Sequence, residues 1–264
     1  MESSPDPNPV FPAEGPRNLF AAVWHRIGHA RRERAEFLRG IRAWNGEKLD
    51  VEKTVVDGKP AICVRFPARR FVLVALDVST ISHHLRAALD GLVFAALSPD
   101  KEDLARKSEF PVFEKPTQFQ DWSRAVGQYL RPSLADVCEQ AQPYRHPLPD
   151  DSALRLLHDL NRFDKHRLLQ VVQPSFCDAD QEFDGSPTLA SLHFRARFPP
   201  DAGPSLAGKE VTSVLSRAEA EVVRIATQFF RACDPSAASL PDELTAHYTQ
   251  LPDPYYIERG ASGL

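Results

Sequence analysis

The chain has 264 residues, of which 42% are apolar and 26% are charged, a composition typical of folded globular proteins and not of disordered ones. The formal net charge of -4 excludes a global attraction to polyanions, so contact with nucleic acid or a membrane surface would require a local basic patch. The apolar runs of the chain are far shorter than the roughly 20 residues that a membrane-spanning helix needs. We expect one domain at 17–234, with an N-terminal disordered tail at 1–16 and a C-terminal tail at 235–264.

The N-terminal sequence and the cysteines predict a cytoplasmic location. Residues 1–17 contain no basic start followed by an apolar stretch, so no secretory signal is expected. The four cysteines lie far apart and include no CxxC pair: Cys63, Cys138, Cys177 and Cys233. This spacing argues against a zinc site and a redox motif, and it predicts reduced thiols that are mostly buried.

A first amphipathic helix is predicted from residue 17 to about residue 44. Its apolar residues recur at the spacing of one helical face: Phe20, Val23, Trp24, Ile27, Phe37, Leu38 and Ile41. The predicted outer face carries an excess of arginine: Arg26, Arg31, Arg32, Arg34, Arg39 and Arg42. Interleaved Glu33 and Glu36 can neutralise part of this charge by pairing along the helix. The face could bind phosphates, but a solvated face without a ligand is the simpler interpretation.

A β-hairpin and a second long helix are predicted next. Residues 49–56 and 61–66 are rich in β-forming residues and flank Asp57-Gly58, a dipeptide that favours a tight hairpin turn. The second helix is predicted from about 78 to 97, with most of its apolar residues in one stripe. The short apolar run at 71–76 could extend the sheet or open this helix, because its period does not distinguish the two.

Shorter helices and a strand are predicted in the second half of the chain. Two short helices are expected around 119–129 and 132–142, followed by a longer helix from 151 to about 171. Residues near 190–198 alternate between apolar and polar side chains, the pattern of a half-exposed strand. We expect this strand and the hairpin to form one small sheet.

The last helix completes the predicted fold. It is expected to begin at Ser216, because Glu219 has the spacing of a capping box, and to end near Cys233. The predicted fold class is mainly α (α+β), a helical bundle with a small antiparallel sheet. The second helix and the helix from residue 151 are expected to form its centre.

Charged residues are predicted to lie inside this bundle. Asp164 and Arg167 project into the apolar stripe of the helix from residue 151, where a lone buried charge would be costly. On the second helix, charged and polar residues lie beside the apolar stripe. We expect one internal polar cluster made of His83, Arg86, Asp90, Asn161, Asp164 and Arg167. It would be either an ion-pair network that fixes helix register or part of an active site.

His166 projects to the other side of the same helix, together with Arg155, Asp159 and Arg162. This is the pattern of a solvated face. A break or kink in the helix near Asp164 would turn Lys165 and His166 toward the polar cluster.

Neither a metal nor an organic cofactor is expected. His83 and Asp90 are two helical turns apart, roughly 10 Å along the axis, which is too far for one ion. The sequence contains no GxSxG, GxxxxGK[ST] or GxGxxG motif, so the common hydrolase, NTPase and dinucleotide-binding signatures are absent.

Four motifs occur in order along the chain: HLRAALDGL at 84–92, FPVF at 110–113, QPY at 142–144 and LLHDLNRFDKHRLL at 156–169. Together they resemble a family of uncharacterised, mainly actinobacterial proteins with the pattern LRxALDxL, FPxF, QPY and LxxLNxxDKHR. The resemblance covers about residues 76–170. The family supplies no established activity to carry over.

A more distant resemblance is to HEPN domains, helical bundles that include metal-independent ribonucleases with an Arg-x4-6-His motif. Here only three residues separate Arg162 from His166, and Asn161 stands where a spacing of four would require arginine. The resemblance implies an RNA-binding or RNA-processing protein of the toxin or defence type, with four catalytic residues: His166, Arg162, Asn161 and Asp164. By analogy it also implies a homodimer.

The alternative is a non-catalytic helical module that binds a protein partner or a small ligand. The polar residues would then be structural or would contribute to binding: His83, Arg86, Asp90, Lys165 and Arg167. No membrane partner is expected in either case.

Overall fold

The computed structural model describes residues 16–45, 50–56, 59–65, 68–97, 101–105, 108–166, 173–177 and 193–233. Its helices are α1 (Pro16–Asn45), α2 (Ala68–Ala96), α3 (Glu102–Ala105), α4 (Pro116–Ala125), α5 (Pro132–Gln140), α6 (Ala153–His166) and α7 (Val211–Cys233). Its strands are β1 (Asp50–Val56), β2 (Lys59–Arg65), β3 (Gln173–Cys177) and β4 (His193–Arg197). The predicted mainly α fold is confirmed.

Two long helices occupy the centre of the fold. α2 packs against α1, α6 and α7, and α7 in turn packs against α1, α5 and α6. The stripe predicted on α2 is buried: Val78, Ile81, Leu85, Ala88, Leu89 and Leu92. α1 and α2 approach closely at Gly91, where a Cβ atom would lie 3.3 Å from Val23 Cγ2. Apolar burial between these helices is the main favourable contribution to the fold.

The ambiguous segment 71–76 is helical, because α2 begins at Ala68. Val74, Ala75 and Val78 are buried, while Val72 and Leu73 remain exposed. Burial on one side and exposure on the other follow the helical period, whereas the local sequence is apolar on both sides. Contacts with the rest of the molecule therefore decide a conformation that the short run leaves open.

The strands form two separate antiparallel pairs among the described residues. β1 pairs with β2, with Asp50 opposite Arg65 and Val56 opposite Lys59. β4 pairs with β3, a segment without a predicted strand, and not with the hairpin. The prediction of one sheet containing the hairpin and the strand near 190–198 is therefore wrong. The turn residues Asp57-Gly58 lie outside the described residues.

The basic face predicted on α1 is partly wrong. Arg31 and Arg34 are 7% and 3% exposed, and both pair with Glu219 of α7. Arg34 Nε donates to Glu219 Oε2 at 2.6 Å, and Arg34 Nη1 donates to Ser216 Oγ at 2.7 Å. The sequence of α1 alone cannot reveal a carboxylate supplied by a helix about 185 residues later.

The predicted start of the last helix is also wrong. α7 begins at Val211, so Ser216 and Glu219 lie inside the helix and face α1. Ser216 and Glu219 are three residues apart, which is the spacing of a capping box and also that of two residues on one helical face. Here both side chains contact α1 from within α7. No described helix combines the length and the apolar character of a membrane span.

Candidate functional site

The residues of the first motif hold a connecting segment that we call the strap, residues 108–114. Arg86 is only 4% exposed, and its Nη2 donates to the Phe110 carbonyl at 2.8 Å. Asp90 Oδ1 accepts from the Phe110 N–H at 2.9 Å. Arg86 and Asp90 also pair with each other, with 2.9 Å between Nη2 and Oδ1. The pair thus satisfies both backbone polar groups of Phe110.

Within the Arg86–Asp90 pair, burial has the largest effect on the pKa of Asp90. Burial raises the pKa of Asp90, whereas Arg86 and the Phe110 N–H oppose this rise. Glu109 lies at 3.3 Å from Arg86 Nη2 and adds a second carboxylate to the guanidinium. The Phe110 ring is buried, and its centroid lies 6.2 Å from that of the Phe229 ring of α7. Phe110 therefore also connects the strap to the core.

The QPY motif holds the other half of the strap. Gln142 is 1% exposed, and its Oε1 accepts from the Phe113 N–H at 2.9 Å. Its Nε2 donates to the Pro111 carbonyl at 2.9 Å and to the Cys138 carbonyl at 2.8 Å. Three of the four motifs that carry the family resemblance therefore meet at the strap. Their side chains bind the backbone of the strap.

Part of the side of α6 that was predicted to be solvated is covered. Asp159 is 5% exposed, and its Oδ2 accepts from Arg155 Nε and Ser205 Oγ, both at 2.6 Å. Arg155 also pairs with Glu114 of the strap. The predicted exposure of Asp159 is wrong because Ser205, from the segment between β4 and α7, covers it. That segment is distant in sequence, and α6 contains no signal for it.

A histidine of α6 that was not predicted lies beside this network. His158 is half-buried, and burial lowers its pKa. Arg86, Arg155 and Arg162 lower this pKa further, whereas Asp159 raises it. The imidazole is therefore neutral near pH 7 and can accept a proton. The sequence signal that could have identified His158 is its place inside the motif at 156–169.

The structure places the predicted site residues in three groups. Arg86 and Asp90 lie together at the strap, and His158 lies within electrostatic range of Arg86. Asn161 is buried and Arg162 is exposed on α6. The side chains of Asp164, Lys165 and His166, and the whole of Arg167, lie outside the described residues, so their predicted meeting with α2 stays a prediction.

Two details of the predicted cluster are corrected. His83 is exposed and its ring lies against His84, 5.9 Å between centroids, so solvent and not the Arg86–Asp90 pair surrounds it. The break considered near Asp164 is absent, because α6 continues through His166. Within the described residues, no group of three or more His, Cys, Asp or Glu side chains could hold a metal ion.

Comparisons of the chain with family models, curated proteins and solved structures give no match.

Proposed function

We propose that this protein is a cytoplasmic, HEPN-like RNA-binding or RNA-processing protein of the toxin or defence type. The observation that supports this proposal is the environment of His158. A half-buried, neutral imidazole lies within the electrostatic range of three arginines, and one of them, Arg162, is exposed to solvent. A base beside an exposed cation suits chemistry on a phosphodiester.

The spacing along α6 extends this argument. His158, Arg162 and His166 follow one another at intervals of four residues, so their backbone positions lie on one side of a continuous helix. Asn161 and Asp164 lie within the same two turns. A row of base, cation and acid would match the needs of metal-independent RNA cleavage.

In the proposed reaction, neutral His158 takes the proton from a ribose 2′-hydroxyl. The 2′-oxygen then attacks the adjacent phosphorus, and Arg162 binds the phosphate oxygens through charge and bidentate hydrogen bonds. The bond between phosphorus and the 5′-oxygen breaks, and His166 gives a proton to that oxygen. The products are a 2′,3′-cyclic phosphate and a free 5′-hydroxyl.

The test measures cleavage of a fluorescent RNA of about 20 nucleotides by purified protein in the presence of a chelator. We expect His158→Gln to reduce the rate by about 10²- to 10⁴-fold, the usual contribution of a general base. Arg162→Gln should also reduce it. The matched control is His146→Gln, because His146 is exposed and its Nδ1 lies within hydrogen-bond distance of the Leu148 backbone. Absence of cleavage by the parent protein, or equal rates in all variants, would remove the nuclease proposal.

A second candidate is a non-catalytic helical module that binds a protein partner or a small ligand. It is favoured by an exposed apolar patch on α2, where Val72, Leu73 and Leu76 are 45%, 44% and 47% exposed. Such patches often contact partners. A homodimer through this patch would become monomeric in Leu76→Glu, as measured by sedimentation velocity; an unchanged mass would exclude this dimer.

A further inference from the structure

A cationic surface lies where α1 and α2 pack together, in addition to the exposed Arg162 of α6. Four exposed residues of α1 share one side of the helix: His25, Arg26, His29 and Arg32. α2 adds exposed His83 and half-buried His84. We call these six residues the histidine face.

The imidazoles of this face form a continuous surface across the two helices. The rings of His29 and His84 are stacked, with 5.1 Å between centroids and 16° between planes. His83 packs edge-on against His84, with 5.9 Å between centroids. An aromatic surface made of three rings therefore bridges α1 and α2, and two of its three members are open to solvent.

Arginines flank the imidazoles. Neither Arg26 nor Arg32 has an ion-pair partner among the described residues, in contrast to Arg39, which lies 3.5 Å from Glu36. The face thus keeps two uncompensated cations.

The titratable groups around His84 make the charge of this face sensitive to pH. Burial lowers the pKa of His84, and His29, His83 and Arg26 lower it further, whereas Glu33 opposes them. A bound anion would oppose these effects by favouring the imidazolium form of His84. The affinity for an anionic ligand should therefore increase as the pH falls.

We propose that the histidine face binds single-stranded RNA, an inference that rests on the proposed function and adds a binding surface to it. Arg26 and Arg32 would contact phosphates, and the imidazole rings of the histidine face would stack against unpaired bases. Single-strand binding proteins combine these two kinds of contact. Aromatic rings beside unpaired arginines favour RNA over an acidic polypeptide, because a polypeptide of that kind offers charge without bases.

The test measures fluorescence anisotropy of an oligouridylate of about 20 nucleotides near pH 6 and near pH 7.5, at about 50 to 200 mM salt. The parent protein should bind more tightly near pH 6. Arg26→Gln/Arg32→Gln should weaken binding at least tenfold and make the log-log salt slope shallower by about 1.4, at about 0.7 per phosphate contact. The matched control is Arg124→Gln/Arg224→Gln, two exposed arginines that pair with nearby acids; its affinity should equal that of the parent.

The outcomes separate this inference from the proposed function. Binding that survives Arg26→Gln/Arg32→Gln but is lost in Arg162→Gln would overturn the histidine face and keep the RNA proposal. No binding under any condition would overturn both. Equal binding of a polyglutamate of similar charge would replace RNA by an acidic polypeptide and overturn the inference. If the double variant does not fold by circular dichroism, Arg32→Gln and His29→Gln are measured singly with the same expected direction.

Discussion

At the scale of single residues, a buried carboxylate holds two buried arginines between α1 and α7. Glu219 is 3% exposed and is the acidic partner of both Arg31 and Arg34. Glu219→Gln keeps the volume but removes the carboxylate charge that pairs with both guanidiniums. We expect a loss of about 3–5 kcal/mol in the free energy of unfolding, measured by urea denaturation, as for other broken buried ion pairs.

The control for this variant is Glu221→Gln, two residues further along α7. Glu221 pairs with Arg224 nearer the surface, where removing a charge usually changes stability by less than about 1 kcal/mol. Equal stability of the two variants would show that the buried network does not depend on the charge of Glu219.

Asp151 provides a prediction about acid stability. Its carboxylate accepts from Lys209 Nζ at 2.6 Å and from Arg217 Nη1 at 3.0 Å, and these bonds hold its pKa well below the ordinary 3.8. The folded state therefore favours the ionised form, and this stabilisation is present above the ordinary pKa and is lost as the pH falls below it. Because the side chain is 36% exposed, screening limits the effect.

We expect Asp151→Asn to lower stability by about 1 kcal/mol near pH 7 and to reduce the further loss below about pH 4. Urea denaturation at several pH values measures both. Asp150→Asn is the matched control, since Asp150 is the exposed neighbour. An identical pH dependence of the parent and Asp151→Asn would contradict the role of these bonds.

At the scale of elements, the strap depends on side chains that replace regular backbone pairing. Gln142 alone satisfies the Phe113 N–H and the carbonyls of Pro111 and Cys138. Gln142→Leu leaves the Phe113 N–H and the Pro111 carbonyl without this partner, and we expect the free energy of unfolding to fall by about 2–6 kcal/mol, at roughly 1–3 kcal/mol for each of the two groups. Hydrogen exchange should also become faster at the Phe113 amide.

The Phe110 amide should change less in this variant, because Asp90 holds it independently. Gln128→Leu is the control, since the Gln128 side chain bonds to the Arg124 carbonyl at the surface. Unchanged exchange at Phe113 in Gln142→Leu would mean that the strap is held by packing alone.

At the scale of the whole molecule, the helices and their buried stripes could be predicted, but their neighbours could not. The apolar stripe of α2 is a local pattern and is confirmed from Val78 to Leu92. Asp159, Arg31 and Arg34 were predicted to face solvent because each lies on the polar side of its own helix. Their burial depends on Ser205 and Glu219, residues whose positions no local period encodes.

The same limit applies to the candidate site. Arg86 and Asp90 were recognised as partly internal charges, and both bind the backbone of Phe110, a partner that no pattern in α2 predicts. His158 lies beside apolar residues and carries no period of its own, so its sequence signal is its place inside the motif at 156–169, and the structure adds the shift of its pKa. A sequence pattern can thus select the right helix and still miss the residue that has the shifted pKa.

Acid sensitivity of the whole fold follows from two histidines on different interfaces. His84 lies between α1 and α2, His158 lies beside α2 on α6, and burial lowers the pKa of both below 6.5. The unfolded chain therefore binds protons more readily than the folded one, so stability is fully present above pH 6.5 and is lost as the pH falls toward the lowered values. Both histidines act on the packing of the central helix.

We expect His84→Gln/His158→Gln to lose less stability than the parent between about pH 7 and pH 5, measured as the shift in thermal midpoint. His146→Gln should retain the parent's pH dependence, because His146 is exposed. Each single variant should account for part of the change, since the two rings lie on different interfaces and such effects are close to additive. A double variant as acid-sensitive as the parent would contradict the assignment of this acid sensitivity to the two histidines.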